Sequence, residues 1–296
     1  MKALIILNPS SGKEKAKDYE DKLVEVLKPR YDEINIKYTK KKNDAKNFAN
    51  EAAKEGYDLV ISLGGDGTVN ETVNGLAPNE IRPALGIIPM GTVNDLARAL
   101  DIPLNPDEAI DMLKDAKEKE IDIGMVNEIY FTNVVSVGNI AKAVHEVESE
   151  EKSRLGPLAY FIAGTKEVIN SEDFFVKLKY ERKISELKIS LLVIGLSGAL
   201  AGFGDFLKEA EPDDGMLHIL AIKSLDIGKA LKILPSAITG KITESENVIY
   251  FKTDNINVSL MEHGEKESDI DGEKGPNLPL DIKVLPKHLK VMIKNS

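Results

Sequence analysis

The chain has 296 residues, 42% of them hydrophobic, enough to bury the cores of two ordinary domains. Its 49 acidic against 39 basic residues give a formal charge of −10, so there is no broad basic face for nucleic acid, and an anionic partner must be met by local patches. Cysteine is absent, which excludes disulfides, thiolate metal sites and cysteine nucleophiles.

Residues 3–7 are a short apolar run leading straight into a turn, too short for a signal-peptide core, and read as a first strand. An amphipathic stretch with Tyr19, Leu23, Val26 and Leu27, ended near Pro29, reads as a helix, and residues 34–38 as a second strand. Asn43-Asp44 open a further helix that carries Ala45, Phe48, Ala49, Ala52 and Ala53 on one face and stops at Gly56. Residues 59–63 and 84–88 are compact apolar runs of the kind found in strands covered on both faces, so the first 120 or so residues predict a mostly parallel sheet with ligands at its carboxyl ends.

After Lys119 strands follow closely, at 121–126, 129–137, 174–180, 184–196 and 217–222, joined by turns such as Asn127-Glu128, which predicts an antiparallel β domain. Two helical insertions are expected, at 157–168 and 227–239. Strands resume from Val248, the polar stretch 262–269 reads as a hairpin tip, and 289–293 is a candidate to return to the first domain. The most apolar stretch, 189–204, is broken by serines and glycines and falls short of the roughly 20 residues a spanning helix needs, so a cytoplasmic protein is expected.

Three turns at strand ends carry chemistry. Gly64-Gly65-Asp66-Gly67-Thr68 lets backbone N–H groups approach an anion, and a carboxylate among phosphates calls for a cation, most plausibly Mg²⁺; the plainer alternative is a capped strand-to-helix turn. Asn8-Pro9-Ser10-Ser11-Gly12-Lys13 makes a second anion-facing corner at the start of a helix, with a serine-capped helix as its alternative. It is not a P-loop, because the leading glycine is missing and Glu14 stands where the Mg²⁺-binding hydroxyl belongs. Met90-Gly91-Thr92-Val93-Asn94-Asp95 is the third, and it brings another carboxylate, Asp95, to the sheet edge.

Together these turns resemble the diacylglycerol kinase catalytic family, closest to the soluble enzymes of Gram-positive bacteria. Matching segments extend over nearly the whole chain: Asp122 in Ile-Asp-Ile-Gly, Gly156 to Tyr160, Asp213-Asp214-Gly215 and Asp271-Gly272-Glu273. The resemblance implies an NAD-kinase-like α/β nucleotide-binding domain with a mostly parallel sheet over residues 1–125, completed by 287–296. It also implies an antiparallel β-sandwich lipid-substrate domain over 126–286, with catalysis in a cleft between the two.

By the same resemblance, Asn8, Pro9, Ser10, Ser11, Gly12, Thr39, Gly65, Asp66, Gly67, Thr68, Val69, Asn70, Glu71 and Thr92 would surround ATP. Asp66, Asp95 and Asp122 would hold a catalytic Mg²⁺, partly through water, and Glu211, Asp214 and Met216 a structural Mg²⁺. Asp66 would also be catalytic, while Asp271 and Glu273 are both candidates for the base that takes the acceptor's proton. The implied reaction is transfer of the γ-phosphoryl group of ATP to the hydroxyl of diacylglycerol, giving phosphatidic acid, by a peripheral protein at the inner membrane face. Phosphatidylglycerol or a sphingoid base as acceptor, an NAD kinase, and an ATP-binding module without turnover are the competing readings, and a homodimer is left open. The apolar stretches 155–163 and 196–206 are candidates to line a lipid groove, with core packing an equal account. Lys13, Lys15, Lys17 and Lys40-Lys41-Lys42 could touch anionic headgroups or simply be solvated. His145, His218, His263 and His288 fall in no motif and are set aside.

Overall fold

A computed structural model describes residues 1–138, 173–199, 207–223, 236 and 239–295. The expected helix at 157–168, most of that at 227–239, the segment Gly156 to Tyr160, the stretch 155–163, residues 200–206 and His145 lie outside the described residues. The chain forms two units, one of residues 1–123 with 286–296 and the other of 124–285.

In the first unit, β1 (Lys2–Leu7), β2 (Glu33–Tyr38), β3 (Leu59–Gly64) and β4 (Ala84–Pro89) are all parallel, in the order β4-β3-β1-β2. Every residue of β3 and β4 is buried, as apolar runs without alternation demand. The chain moves outward from β1 to β2, then crosses back to continue as β3 and β4, so the direction of winding reverses between β1 and β3. Ligands bind outside the carboxyl ends of strands at such a reversal, and the loops that follow β1 and β3 are those that begin at Asn8 and Gly65.

Helices α1 (Ser11–Glu14), α2 (Glu20–Leu27), α3 (Asp44–Lys54), α4 (Asp66–Leu76), α5 (Asp95–Ala99) and α6 (Pro106–Met112) connect the strands. The face of α3 expected to be apolar buries Ala45, Ala49, Ala52 and Ala53. The helix expected to start at the Asn8 turn is α1. It is a single turn, because Glu14 takes a left-handed φ of 68° and a short 3₁₀ turn follows before α2. Next, β5 (Lys117–Val126) leads out of the unit, and the last strand of the chain, β15 (Leu280–Ile293), pairs with β5 and returns to set Val291 in parallel register with Leu85 of β4.

The second unit is antiparallel throughout. It comprises β6 (Ile129–Phe131), β7 (Val134–Gly138), β8 (Phe174–Tyr180), β9 (Lys183–Gly195), β10 (Leu217–Lys223), β11 (Val248–Thr253), β12 (Asn255–Leu260), β13 (Glu267–Ile270) and β14 (Glu273–Asn277). The long β9 is shared: its first half pairs with β8, and its second half runs between β7 and β10. Its burial follows this change, alternating up to Lys188 and continuous from Ile189 onward. Phe131, Val135, Phe174, Val176, Leu178, Ile194, Ile219 and Leu280 belong to one core.

One strand expected across 129–137 is instead two, β6 and β7, with the break at Thr132-Asn133. There the backbone N–H groups of Thr132, Asn133 and Val134 turn toward the carboxylate of Asp271. A carboxylate supplied from 137 residues or more away is invisible to a reading of hydrophobic alternation.

Candidate active site

In the first unit the strand-end loops are joined by direct bonds. Asn8 donates its backbone N–H to Leu63 O at 3.0 Å and its side-chain amide to Thr68 Oγ1 at 3.2 Å, which binds the turn after β1 to the turn after β3. Met90 N donates to Gly64 O at 2.8 Å. A Cβ built on Gly65 would lie 3.1 Å from Gly91 Cα, and one on Gly91 would lie 2.9 Å from Gly65 Cα, so here the backbones themselves touch and no side chain fits between them. Gly12, at φ +62°, packs instead against the tip of the Met90 side chain. Thr39 N donates to Leu7 O at 2.9 Å, which brings the end of β2 beside the end of β1.

Asp66 is the first residue of α4, with Gly65 as its cap. Its carboxylate reaches the next loop: Oδ2 accepts from Asn94 N and Oδ1 from Asp95 N, both at 2.9 Å. Asn94 closes that loop on itself, its Oδ1 accepting from Gly91 N and its Nδ2 donating to Gly91 O. No role was assigned to Asn94 or Met90 from the sequence, although an asparagine in a Gly-Thr-Val-Asn turn is a natural left-handed residue, and Asn94 has φ +54°.

Other expected nucleotide residues carry structural bonds. Ser10 N is held by Asn8 Oδ1, while Val69 is only 6% exposed. Glu71 accepts from Asn43 N at 2.8 Å and Ala45 N at 3.2 Å, tying the start of α3 to α4. The loop before α3 is folded over Asp44, whose carboxyl is held below its ordinary pKa chiefly by the backbone N–H of Lys40, joined by that of Lys41. Gly67 and Thr92 are exposed. The structure thus brings Asp66 and Asp95 together. Asp122 is buried on β5, where its Oδ1 accepts from Lys287 N of β15 at 2.7 Å.

In the second unit, Asp271 has φ +50° at the turn between β13 and β14. Its Oδ2 accepts from Thr132 N at 2.8 Å and Thr132 Oγ1 at 3.2 Å, and its Oδ1 accepts from Asn133 N at 3.0 Å and Val134 N at 2.8 Å. Four donors occupy the four lone-pair sites of a carboxylate. Glu273, two residues on, is exposed.

At the Asp214 turn, Oδ1 accepts from Met216 N at 2.9 Å and Oδ2 lies 2.8 Å from His218 Nε2, with Glu211 O accepting from Asp214 N at 3.3 Å. His218, set aside from the sequence, is fully buried, and its Nδ1 lies 2.8 Å from the Tyr250 hydroxyl. Burial, opposed by Asp214, lowers the His218 pKa, and burial together with Glu209 raises that of Tyr250. A neutral imidazole that donates from Nε2 to Asp214 suits the carboxylate, with the Tyr250 hydroxyl, which also faces Glu209, beside Nδ1.

Among the described residues, no three Asp, Glu or His side chains gather closely enough to hold a metal ion by direct ligation. The donor chemistry still suits a hard cation. Each Asp66 oxygen and each Asp214 oxygen accepts one hydrogen bond and keeps a second lone pair, Asp214 Oδ2 also lying 4.0 Å from Lys252 Nζ, and carboxylate, carbonyl and water oxygens are what Mg²⁺ takes.

Residues 2–126 match the diacylglycerol kinase catalytic domain, and residues 133–293 match the YegS C-terminal NAD kinase beta sandwich-like domain. The chain is 38% identical, over 99% of its length and 98% of the relative's, to a Streptococcus pneumoniae protein named provisionally as a lipid kinase. It is 36% identical to the diacylglycerol kinase of Staphylococcus aureus strain RF122, covering all of this chain and 93% of that one. A crystal structure of a diacylglycerol kinase from Bacillus anthracis superposes with a TM-score of 0.79 at 31% identity, over 99% of this chain and 97% of the other. The fold is shared with that structure over nearly the whole of both chains, and the chain belongs to the diacylglycerol kinase catalytic family.

Proposed function

We propose that the chain is an ATP- and Mg²⁺-dependent lipid kinase that phosphorylates the free hydroxyl of diacylglycerol to give phosphatidic acid, working in the cytoplasm as a peripheral protein at the membrane face. One observation carries the reading: three loops at the carboxyl ends of β1, β3 and β4 are tied together, the first to the second by Asn8 and the second to the third by glycine backbone contact and the Asp66 carboxylate. Backbone that approaches this closely leaves N–H groups for phosphate oxygens, with Ser10, Gly67 and Thr92 exposed and Ser11 and Gly12 half-buried in these loops.

Asp66, Asp95 and Asp122 would hold Mg²⁺, partly through water, and the ion when bound would supply charge neutralisation at the phosphates. A bond forms from the acceptor oxygen to the γ-phosphorus as the bond to the bridging oxygen of ADP breaks. The acceptor proton passes to a carboxylate. Of the two candidates we assign this to Glu273, because the Asp271 lone pairs are already filled; Asp271 positions the turn that carries Glu273. Asp214, with the Glu211 and Met216 carbonyls, would hold the structural ion.

Incubation with labelled ATP, Mg²⁺ and a panel of diacylglycerol, phosphatidylglycerol, a sphingoid base and NAD tests the reading. Label is expected in phosphatidic acid, and its loss in Asp66→Ala; label only in the aqueous phase would refute it in favour of an NAD kinase.

A further inference from the structure

Asn8 ties the loop after β1 to the loop after β3, and Asp66 with the Gly65–Gly91 contact ties the loop after β3 to the loop after β4. The third side of this triangle, from the loop after β4 back to the loop after β1, is spanned by the Met90 side chain. Met90 is half-buried and pinned at its backbone, where its N–H donates to Gly64 O at 2.8 Å. Its thioether runs to Gly12: the Cε methyl fills the space that a Cβ on Gly12 would take, with Sδ 3.6 Å and the Met90 Cβ 3.8 Å from that position. Gly12 lies where support is needed. It and Glu14 both adopt left-handed φ, at +62° and +68°, within a single helical turn. The bonds of this loop gather at its start, where Asn8 O accepts from Ser11 N and Asn8 Oδ1 from Ser10 N. Among the described residues, no hydrogen bond joins Gly12 to the loops after β3 or β4.

We propose that Met90 is a positioning residue for the nucleotide, its side chain acting as the spacer that seats Ser11 and Gly12 for the phosphates. This role presupposes the ATP site proposed above and names the residue that fixes one of its loops. A methionine suits the task, because an unbranched thioether lies along irregular backbone and the glycine opposite leaves room for its methyl. Shortening Met90 takes that methyl away without removing any N–H group offered to phosphate. The turn is then free to adopt other conformations, and ATP must select the competent one, so the loss falls on ATP affinity. Lipid binding and the transfer step depend on other groups and should hold.

The test is a double-mutant cycle of Met90→Ala, Gly12→Ala and the pair. It is read as the Kd for Mg²⁺-ATP by calorimetry without lipid, and as kcat and KM with dioctanoylglycerol in mixed micelles, below the melting range of all four proteins. Met90→Ala is expected to weaken ATP about tenfold in both Kd and KM, with kcat within about twofold of the parent and KM for lipid unchanged. Gly12→Ala alone meets both the strain of a left-handed φ and the Met90 methyl, and should weaken ATP about a hundredfold. In the Met90→Ala background its own methyl enters the vacated space, so the strain remains, the clash is gone, and the further loss should be about tenfold or less. An equal factor for Gly12→Ala in both backgrounds, a parental Kd in Met90→Ala, or a Met90→Ala that loses kcat or lipid KM along with ATP would overturn the role of Met90. A parent that binds ATP but phosphorylates no lipid would overturn the kinase reading, while the Kd cycle still decides for or against Met90; a parent that binds no ATP would overturn both.

Discussion

Asp271 and Glu273 share a turn, and the structure predicts that their replacement fails in opposite ways. Asp271→Ala removes an acceptor shared by the N–H groups of Thr132, Asn133 and Val134 and by the Thr132 hydroxyl; these residues are 4%, 7% and 9% exposed, so water cannot replace it. Each hydrogen bond to a charged acceptor contributes about 1.5–3 kcal/mol, and the four are coupled, so a total of roughly 3–5 kcal/mol is expected. For a unit of this size that lowers the melting temperature by on the order of 10 °C. Asp271→Asn keeps the left-handed turn and one acceptor oxygen but points an amide N–H₂ at N–H donors, and should lose about half as much. Glu273→Gln should melt like the parent and lose about 10²–10⁴-fold in kcat. Calorimetry paired with the lipid assay below the variants' melting range separates the two effects. An Asp271→Ala variant that melts at the parental temperature yet turns over no lipid would refute the assignment of Asp271 to positioning.

Asp66→Asn leaves one of the buried Asn94 and Asp95 N–H groups facing an amide nitrogen, so a loss of about 1–3 kcal/mol in stability is expected together with at least a tenfold rise in the Mg²⁺ and ATP concentrations for half-maximal rate; titrations unchanged below the melting range would count against the metal role. Gly91→Ala puts a methyl 2.9 Å from the Gly65 backbone, which must part the two loops, and should raise KM for ATP while KM for lipid holds. His218 and His288 both have pKa values lowered by burial, from an ordinary value of 6.5. The unfolded chain then binds more protons than the folded one below about pH 6.5. Stability is full above that value and falls with acid, by at most about 1.4 kcal/mol per pH unit for the fully buried His218. Melting curves from pH 7.5 to 5.5 should show the loss, and His218→Gln should flatten it; a melting point that climbs with acid would contradict the neutral imidazole.

Alternation and apolar runs carried much of the fold into view. Residues 174–180 alternate so regularly that the strand there, β8, has the expected limits, and the uninterrupted runs at 59–63 and 84–88 mark strands buried on both faces. The β6–β7 break was invisible because its cause, Asp271, lies 137 or more residues away in the chain. His218 was passed over for the same reason. Its ring is satisfied by Asp214 at short range but by Tyr250 from another strand, and no local pattern marks a histidine whose burial depends on a distant phenol.

The same distance problem explains why motif aspartates do not declare their roles. Asp44, Asp66, Glu71 and Asp271 each accept from at least two backbone N–H groups, so in this chain a carboxylate is repeatedly the device that closes a loop. Glycine-rich turns need such a device, because they have no side chains of their own to lock them and their backbone has the most freedom to lose. A carboxylate that clamps a glycine loop and one that serves a metal are therefore the same residue type at the same spacing, and Asp66 can do both since each oxygen keeps a second lone pair. Asp271 cannot, because its sites are filled, and on that difference in remaining acceptor capacity rests the proposal that Glu273 takes the proton and Asp271 holds the turn.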